Sequence, residues 1–213
     1  MRTLCPLFTW AGDLATYATR VAELQAGDVA VVVSSRSGPG QAVDPSLMQH
    51  IADLSGGRVD VLGYIHIDEA GRGRTRTIDA VLDDIEAWHR FYGVTRLFVD
   101  EWPADWGLRY IGAVWGATRG YSGKGTIAKP ILVINPGQPL ELRGTLPDGV
   151  LIVTHEGTDT VPAWSPQPWE AVIVHDSADP VATRARLAAN GWAWGYVTSD
   201  GSDGNPYDEK STG

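Results

Sequence analysis

Eight short apolar runs, with helix-patterned stretches between most of them, constrain the fold of this chain more than any other feature. They cover residues 4–10, 28–34, 59–67, 96–101, 130–135, 150–156, 171–175 and 192–198. The runs are continuous rather than alternating, and rich in valine and isoleucine. That pattern suits parallel strands buried on both faces. The stretches between them carry helix signals. Asp13 stands as an N-cap before Leu14, Tyr17, Val21 and Leu24, with Gly27 as the stop. Asp44-Pro45 and Asp179-Pro180 each place a cap before a first-turn proline. Ile78, Val81, Leu82, Ile85, Trp88 and Tyr92 form the clearest amphipathic stripe, closed by Gly93. Residues 105–122 are less clearly helical, and 138–147 and 157–168 read as mostly irregular.

Eight strands alternating with such connections predict a single compact α/β domain, a (β/α)8 TIM barrel over residues 1–200. Residues 201–213 read as a polar C-terminal tail. The rival, an open doubly wound sheet, would favour a glycine-rich phosphate loop after the first strand. Trp10-Ala11-Gly12-Asp13 is not one.

Composition narrows the function classes. A net charge of −9 argues against a nucleic-acid partner, which needs a basic face. No window approaches the roughly 20 apolar residues of a membrane span. The single cysteine, Cys5, allows no internal disulfide and sits in an apolar run as a small buried residue. No secretory signal is visible, so the expected location is the cytoplasm as made, or a virion. The nine tryptophans point toward sugar recognition wherever they lie on loops, because a flat ring face binds the apolar side of a sugar.

In a (β/α)8 barrel, active sites lie at the C-terminal ends of the strands. Those ends carry Trp10, Ser34-Ser35, His66 and Asp68, Asp100-Glu101-Trp102, Asn135, His155-Glu156, His175-Asp176 and Ser199-Asp200. The sharpest signal is Asp100-Glu101, directly after Leu97-Phe98-Val99. A carboxylate at the end of a buried strand is costly unless paired or used. Glu156 ends the sixth run in the same manner, two strands away. Two carboxyl groups flanking a glycosidic bond are what glycoside hydrolysis requires. A metal centre is the competing chemistry, since His66, Asp68, His155, Glu156, His175 and Asp176 are suitable ligand types. No Gly-x-Ser-x-Gly nucleophile motif occurs, and Gly71-Arg72-Gly73 and residues 120–125 read as turns rather than phosphate loops.

The same residues carry a family resemblance. Val31-Val32-Val33-Ser34-Ser35, Ser37-Gly38-Pro39-Gly40, Val43-Asp44-Pro45 and Val61-Leu62-Gly63-Tyr64 come first. Phe91-Tyr92-Gly93-Val94, Phe98-Val99-Asp100-Glu101 and Val133-Ile134-Asn135-Pro136-Gly137 follow. Thr154-His155-Glu156-Gly157 and Asn205-Pro206-Tyr207-Asp208 complete the set. Together, in this order, they resemble the spherulation-specific family 4, or spherulin-4-like, proteins. The resemblance implies a (β/α)8 barrel and kinship with secreted glycoside hydrolases that cut α-1,4-linked galactosaminoglycans. It also implies that Asp100, Glu101 and Glu156 line the groove as the catalytic carboxylates. The chain departs from the family pattern at Ser34-Ser35-Arg36, at Ile65-His66-Ile67-Asp68 and at Thr198-Ser199-Asp200, all flanking that groove. Similar proteins among phage tail components make a virion or cell-surface assembly a further expectation for partners.

The expected function is therefore hydrolysis of an amino-sugar polysaccharide, with no cofactor and no metal. Substrate contacts are expected from Trp10, Tyr64, His66, Asp68, Trp102, Asn135, His155 and Asp200. Trp10, Tyr64 and Trp102 are the candidate stacking platforms. The alternatives are a non-catalytic virion tail or surface module with a glycan-binding groove, and a metal-dependent hydrolase or deacetylase.

Overall fold

A computed structural model describes residues 1–7, 22, 29–33, 38–55, 59–67, 75–121, 131–137, 145–158 and 161–199. Eight strands close a barrel in chain order: β1 (Arg2–Leu7), β2 (Val29–Val33), β3 (Val59–His66), β4 (Leu97–Asp100), β5 (Leu132–Asn135), β6 (Val150–Thr158), β7 (Glu170–His175) and β8 (Trp194–Val197). Every neighbouring pair is parallel, and β1 pairs with both β2 and β8. The described helices are α1 (Pro45–Leu54), α2 (Ile78–Tyr92), α3 (Gly107–Gly120) and α4 (Pro180–Ala189). A 3-10 turn, Ala104–Trp106, leads into α3.

The apolar runs became strands because both of their faces are covered. Val133, Ile134, Ile152, Val172, Ile173 and Val174 are all buried. Local chemistry sets the helix ends as the sequence predicts. The Asp44 carboxylate accepts from the Ser46 and Leu47 amides, and Asp179 accepts from Ala182. Thr77 caps α2, and Gly93 ends it in the left-handed region at φ 68°. The helix in 105–122 is real and spans Gly107–Gly120. Its start was obscured by the preceding 3-10 turn. The described parts of the connections before β6 and β7, residues 145–149 and 161–169, contain no helix. The predicted helix after Asp13 and the tail from residue 201 lie outside the described residues.

One close packing fixes α2 on the barrel. The Trp88 indole lies against Gly63, and a β-carbon there would stand 2.5 Å from its Cδ2. The indole N–H donates to the Tyr64 carbonyl at 3.0 Å. Glycine at 63 is thus required by a close approach rather than by its backbone angles. At the opposite end of the barrel, Asp60 pairs with both Arg2 and Arg96, and the Arg2 guanidinium lies 4.2 Å over the Trp194 ring. This clasp links β1, β3, β4 and β8 at the N-terminal rim.

Facing directions follow from register. Val172 and Val174 pack with Leu187 of α4, so they face outward. Ala171, Ile173 and His175, alternating with them, face the barrel interior. Tyr64 and His66 pair with Phe98 and Asp100, which pair in turn with Val133 and Asn135. These six also share the interior face.

The β6–β7 register slips by one residue. Val153 pairs with Ala171, yet His155 pairs with Val172, leaving Thr154 as the extra residue. Strict alternation from Leu151 and Val153 would send His155 inward and Glu156 outward. The bulge reverses this. Glu156 pairs with inward-facing Ile173, while the His155 ring meets Trp164 edge-on at 6.1 Å.

Candidate active site

The C-terminal mouth of the barrel gathers Tyr64, His66, Asp100, Glu101, Asn135, Glu156 and His175. Asn135, at the end of β5, is the centre of the cluster and is almost fully buried. Its side-chain amide donates to Asp100 Oδ1 and to Glu156 Oε2, both at 2.9 Å. Both carboxylate oxygens lie 2.9 Å from one nitrogen, so they are at most about 6 Å apart.

Asp100 accepts three hydrogen bonds. Oδ1 receives the Asn135 amide and the Glu101 backbone N–H at 3.0 Å, and Oδ2 receives the Tyr64 hydroxyl at 2.6 Å. An ionised carboxylate has about four acceptor positions, so one remains open. Burial raises the pKa of Asp100 above the ordinary aspartate value. The Tyr64 hydroxyl, the Glu101 N–H and nearby His66 pull it down, while the Glu156 charge adds to the rise. Burial, and then the adjacent Asp100 carboxylate, push the Tyr64 phenol far above its usual range. Tyr64 is therefore a permanent donor to Asp100.

Glu156 is held from two sides. Asn135 binds Oε2, and the His175 imidazole Nε2 lies 3.2 Å from Oε1. Its side chain keeps 27% of its accessible surface, so it is both fixed and reachable. Glu101 is exposed at the rim. Its carboxylate oxygens come within 3.6 and 3.7 Å of the place a β-carbon on Gly137 would occupy. The chain leaves β4 through Glu101 at φ 57° and leaves β7 through Asp176 at φ 53°. These are the non-glycine positive φ values among the described residues. Each directly follows an inward-facing residue of the cluster, Asp100 or His175. Left-handed residues of this type cost energy and concentrate at functional sites.

Three sequence expectations need correction or a change of role. Trp102 is fully buried and meets Trp106 edge-on, so it offers no ring face to a sugar. The left-handed turn at Glu101 sends the chain back across β5, where Trp102 N–H bonds the Asn135 carbonyl and its side chain enters the core. His155 is turned out of the cluster by the bulge. Tyr64 is buried, so its contribution is the hydroxyl on Asp100 rather than a stacking face. His66 and Asn135 join the cluster as expected from their strand ends. Trp10, Asp68 and Asp200 lie outside the described residues. The sequence marks His175 as a rim residue and candidate metal ligand, and the structure places it against Glu156. Its position at the end of a fully apolar run was the available signal.

Among the described residues, no group of three or more His, Cys, Asp or Glu side chains is arranged to hold a metal ion. No helix among them is long and apolar enough to cross a membrane. A cavity of about 420 Å³ lined by Asp148, Trp169 and Trp194 opens at the N-terminal end, far from the carboxylate cluster.

The family model for the spherulation-specific family 4 matches residues 4–212. The chain belongs to this family. A solved relative of the spherulation-specific family 4 barrel in three dimensions is Aspergillus clavatus Sph3, crystallised in complex with GalNAc. The two share 22% sequence identity and superpose with a TM-score of 0.67, over 97% of this chain and 94% of that one. At that identity the likeness establishes the (β/α)8 fold. No curated protein sequence matches the chain significantly.

Proposed function

We propose that this spherulation-specific family 4 chain is a glycoside hydrolase of amino-sugar polysaccharides, galactosaminoglycan-like, working through Asp100, Glu101 and Glu156. The carrying observation is the Asn135 amide that ties Asp100 and Glu156 together at the mouth of the barrel. The GalNAc held by the related Sph3 barrel supports the sugar class.

The geometry divides the labour. Glu156 is the acid and then the base, because two donors hold it while its surface stays reachable. A separation of at most about 6 Å is below the roughly 6.5–9.5 Å that an inverting pair needs for its water, so the outcome is retention. Asp100 keeps one acceptor position open beside the three that are filled. That oxygen attacks the anomeric carbon from the face opposite the α-linked leaving group while Glu156 protonates the departing glycosidic oxygen, and a glycosyl-enzyme ester forms as the glycosidic bond breaks. Water, deprotonated by Glu156, then displaces Asp100 from the anomeric carbon. Glu101, exposed on the rim, binds a hydroxyl of the neighbouring sugar.

The test is release of reducing ends from N-acetylated and de-acetylated α-1,4-galactosaminoglycan by the wild type and Glu156→Gln. Loss of the acid should slow cleavage by about 10²–10⁴-fold. Equal rates for the two proteins would remove Glu156 from the mechanism. Binding of the polymer without any turnover by the wild type would make the chain a glycan-binding module instead.

A further inference from the structure

We propose that His175 is a positioning residue that fixes the Glu156 carboxylate and tunes its hold on the proton; the inference rests on the hydrolase reading above. Four observations place it there. His175 is the last residue of β7, is 5% exposed, and faces the interior, where an apolar side chain would otherwise fill the space. Its Nε2 lies 3.2 Å from Glu156 Oε1, opposite the oxygen that Asn135 holds. The β6 bulge turns Glu156 rather than His155 inward, toward this ring. The strand end is also anchored: Ser177 N–H bonds the Thr198 carbonyl, Thr198 N–H bonds the Val174 carbonyl, and the Ser177 and Thr183 hydroxyls join at 2.9 Å. The imidazole is thus held by β7 and β8 together while β6 delivers the carboxylate.

The chemistry follows from the donor set. With Nε2 protonated, His175 donates to ionised Glu156 and stabilises the charged form, so the carboxylate gives up its proton more readily. It also locks one rotamer, with the other carboxylate oxygen on the Asn135 amide. Among the described residues, the other titratable groups around the pair are Asp100 and Glu101 from the β4 end, and His66 and Tyr64 from β3. The carboxylates among these raise the proton affinity of Glu156. The Asn135 amide and His175 are the neighbours in direct contact that favour its ionised form.

The test compares the wild type with His175→Leu and His175→Gln, the glutamine restoring a donor. A hydrogen bond to a charged acceptor is worth about one to two pH units in the proton equilibrium, and partial exposure of Glu156 places the expectation at about one. The alkaline limb of kcat/KM, set by protonated Glu156, should rise by about one pH unit in His175→Leu. Its kcat should fall about tenfold to hundredfold, with KM little changed. His175→Gln should recover most of both. Carbon NMR titration of the Glu156 carboxyl group in the wild type, His175→Leu and His175→Ala reads the same effect without turnover. Its midpoint should stand about one pH unit higher in either variant than in the wild type. An unchanged midpoint in whichever variant folds overturns the inference. A wild type that cleaves nothing, while the variants show that shift, overturns the hydrolase reading and leaves the His175–Glu156 pair standing.

Discussion

Replacing Asn135 with leucine keeps the branched side-chain shape and removes the amide that joins Asp100 to Glu156. Each lost bond goes to a carboxylate, and such bonds contribute about 1.5–3 kcal/mol. The Glu156 end is discounted to about 1 kcal/mol or less, because that side chain is 27% exposed and screened by solvent. The two carboxylates also lose the donor dipole between them. The expected penalty is about 2–4 kcal/mol at pH 7, measured by urea unfolding with an unchanged slope. The sign of its pH dependence is fixed. The amide stabilises the ionised forms, so removing it raises both folded-state pKa values, and the variant loses most where the carboxylates are charged. At about pH 4, near the ordinary carboxylate range, the penalty should shrink by at least about 1 kcal/mol. A penalty below about 1 kcal/mol at pH 7, or one equal at both pH values, would refute the bridge.

Asp100→Asn tests the raised pKa of Asp100. A folded-state pKa above the unfolded value means that this group's contribution is greatest below the unfolded value and is lost as pH rises through the folded one. Chemical unfolding across pH 3–8 should therefore show the variant gaining on the wild type with rising pH, and a flat difference would contradict the burial argument. Gly63→Ala drives a methyl into the buried Trp88 ring. Overpacking of this kind costs about 1–3 kcal/mol, or a Tm lower by roughly 2–12 °C in calorimetry, and an unchanged Tm would mean that α2 shifts freely on the barrel.

The strands were legible because the barrel buries both of their faces, so apolar runs such as Leu132–Asn135 and Glu170–His175 needed no alternation to be recognised. The rim was legible for a related reason. Asp100, Asn135 and Glu156 are polar residues ending apolar strands, and the structure brings all three into hydrogen-bond contact. Side-chain direction was less accessible. Trp102 follows the acidic pair in sequence, yet the left-handed Glu101 turns it into the core. His155 and Glu156 are adjacent and equally polar, and only a one-residue slip against β7 decides which enters the barrel. No composition or periodicity signal marks Thr154 as the surplus residue. The His175 role depends on the same slip, since Glu156 reaches it only from the inward face.

That slip has a consequence for comparing relatives. Along β6 the identity of the inward group is set by reading frame as much as by residue type. Pairing without the bulge, with Thr154 taken into the ladder, would exchange a carboxylate for an imidazole at the heart of the mouth without altering either side chain, whereas deleting Thr154 would leave Glu156 facing inward. Relatives of equal sequence similarity can therefore carry opposite chemistry on this strand. Matching their β6 positions requires counting from the β7 register, where Ile173 faces Glu156, rather than from the apolar run that precedes the bulge.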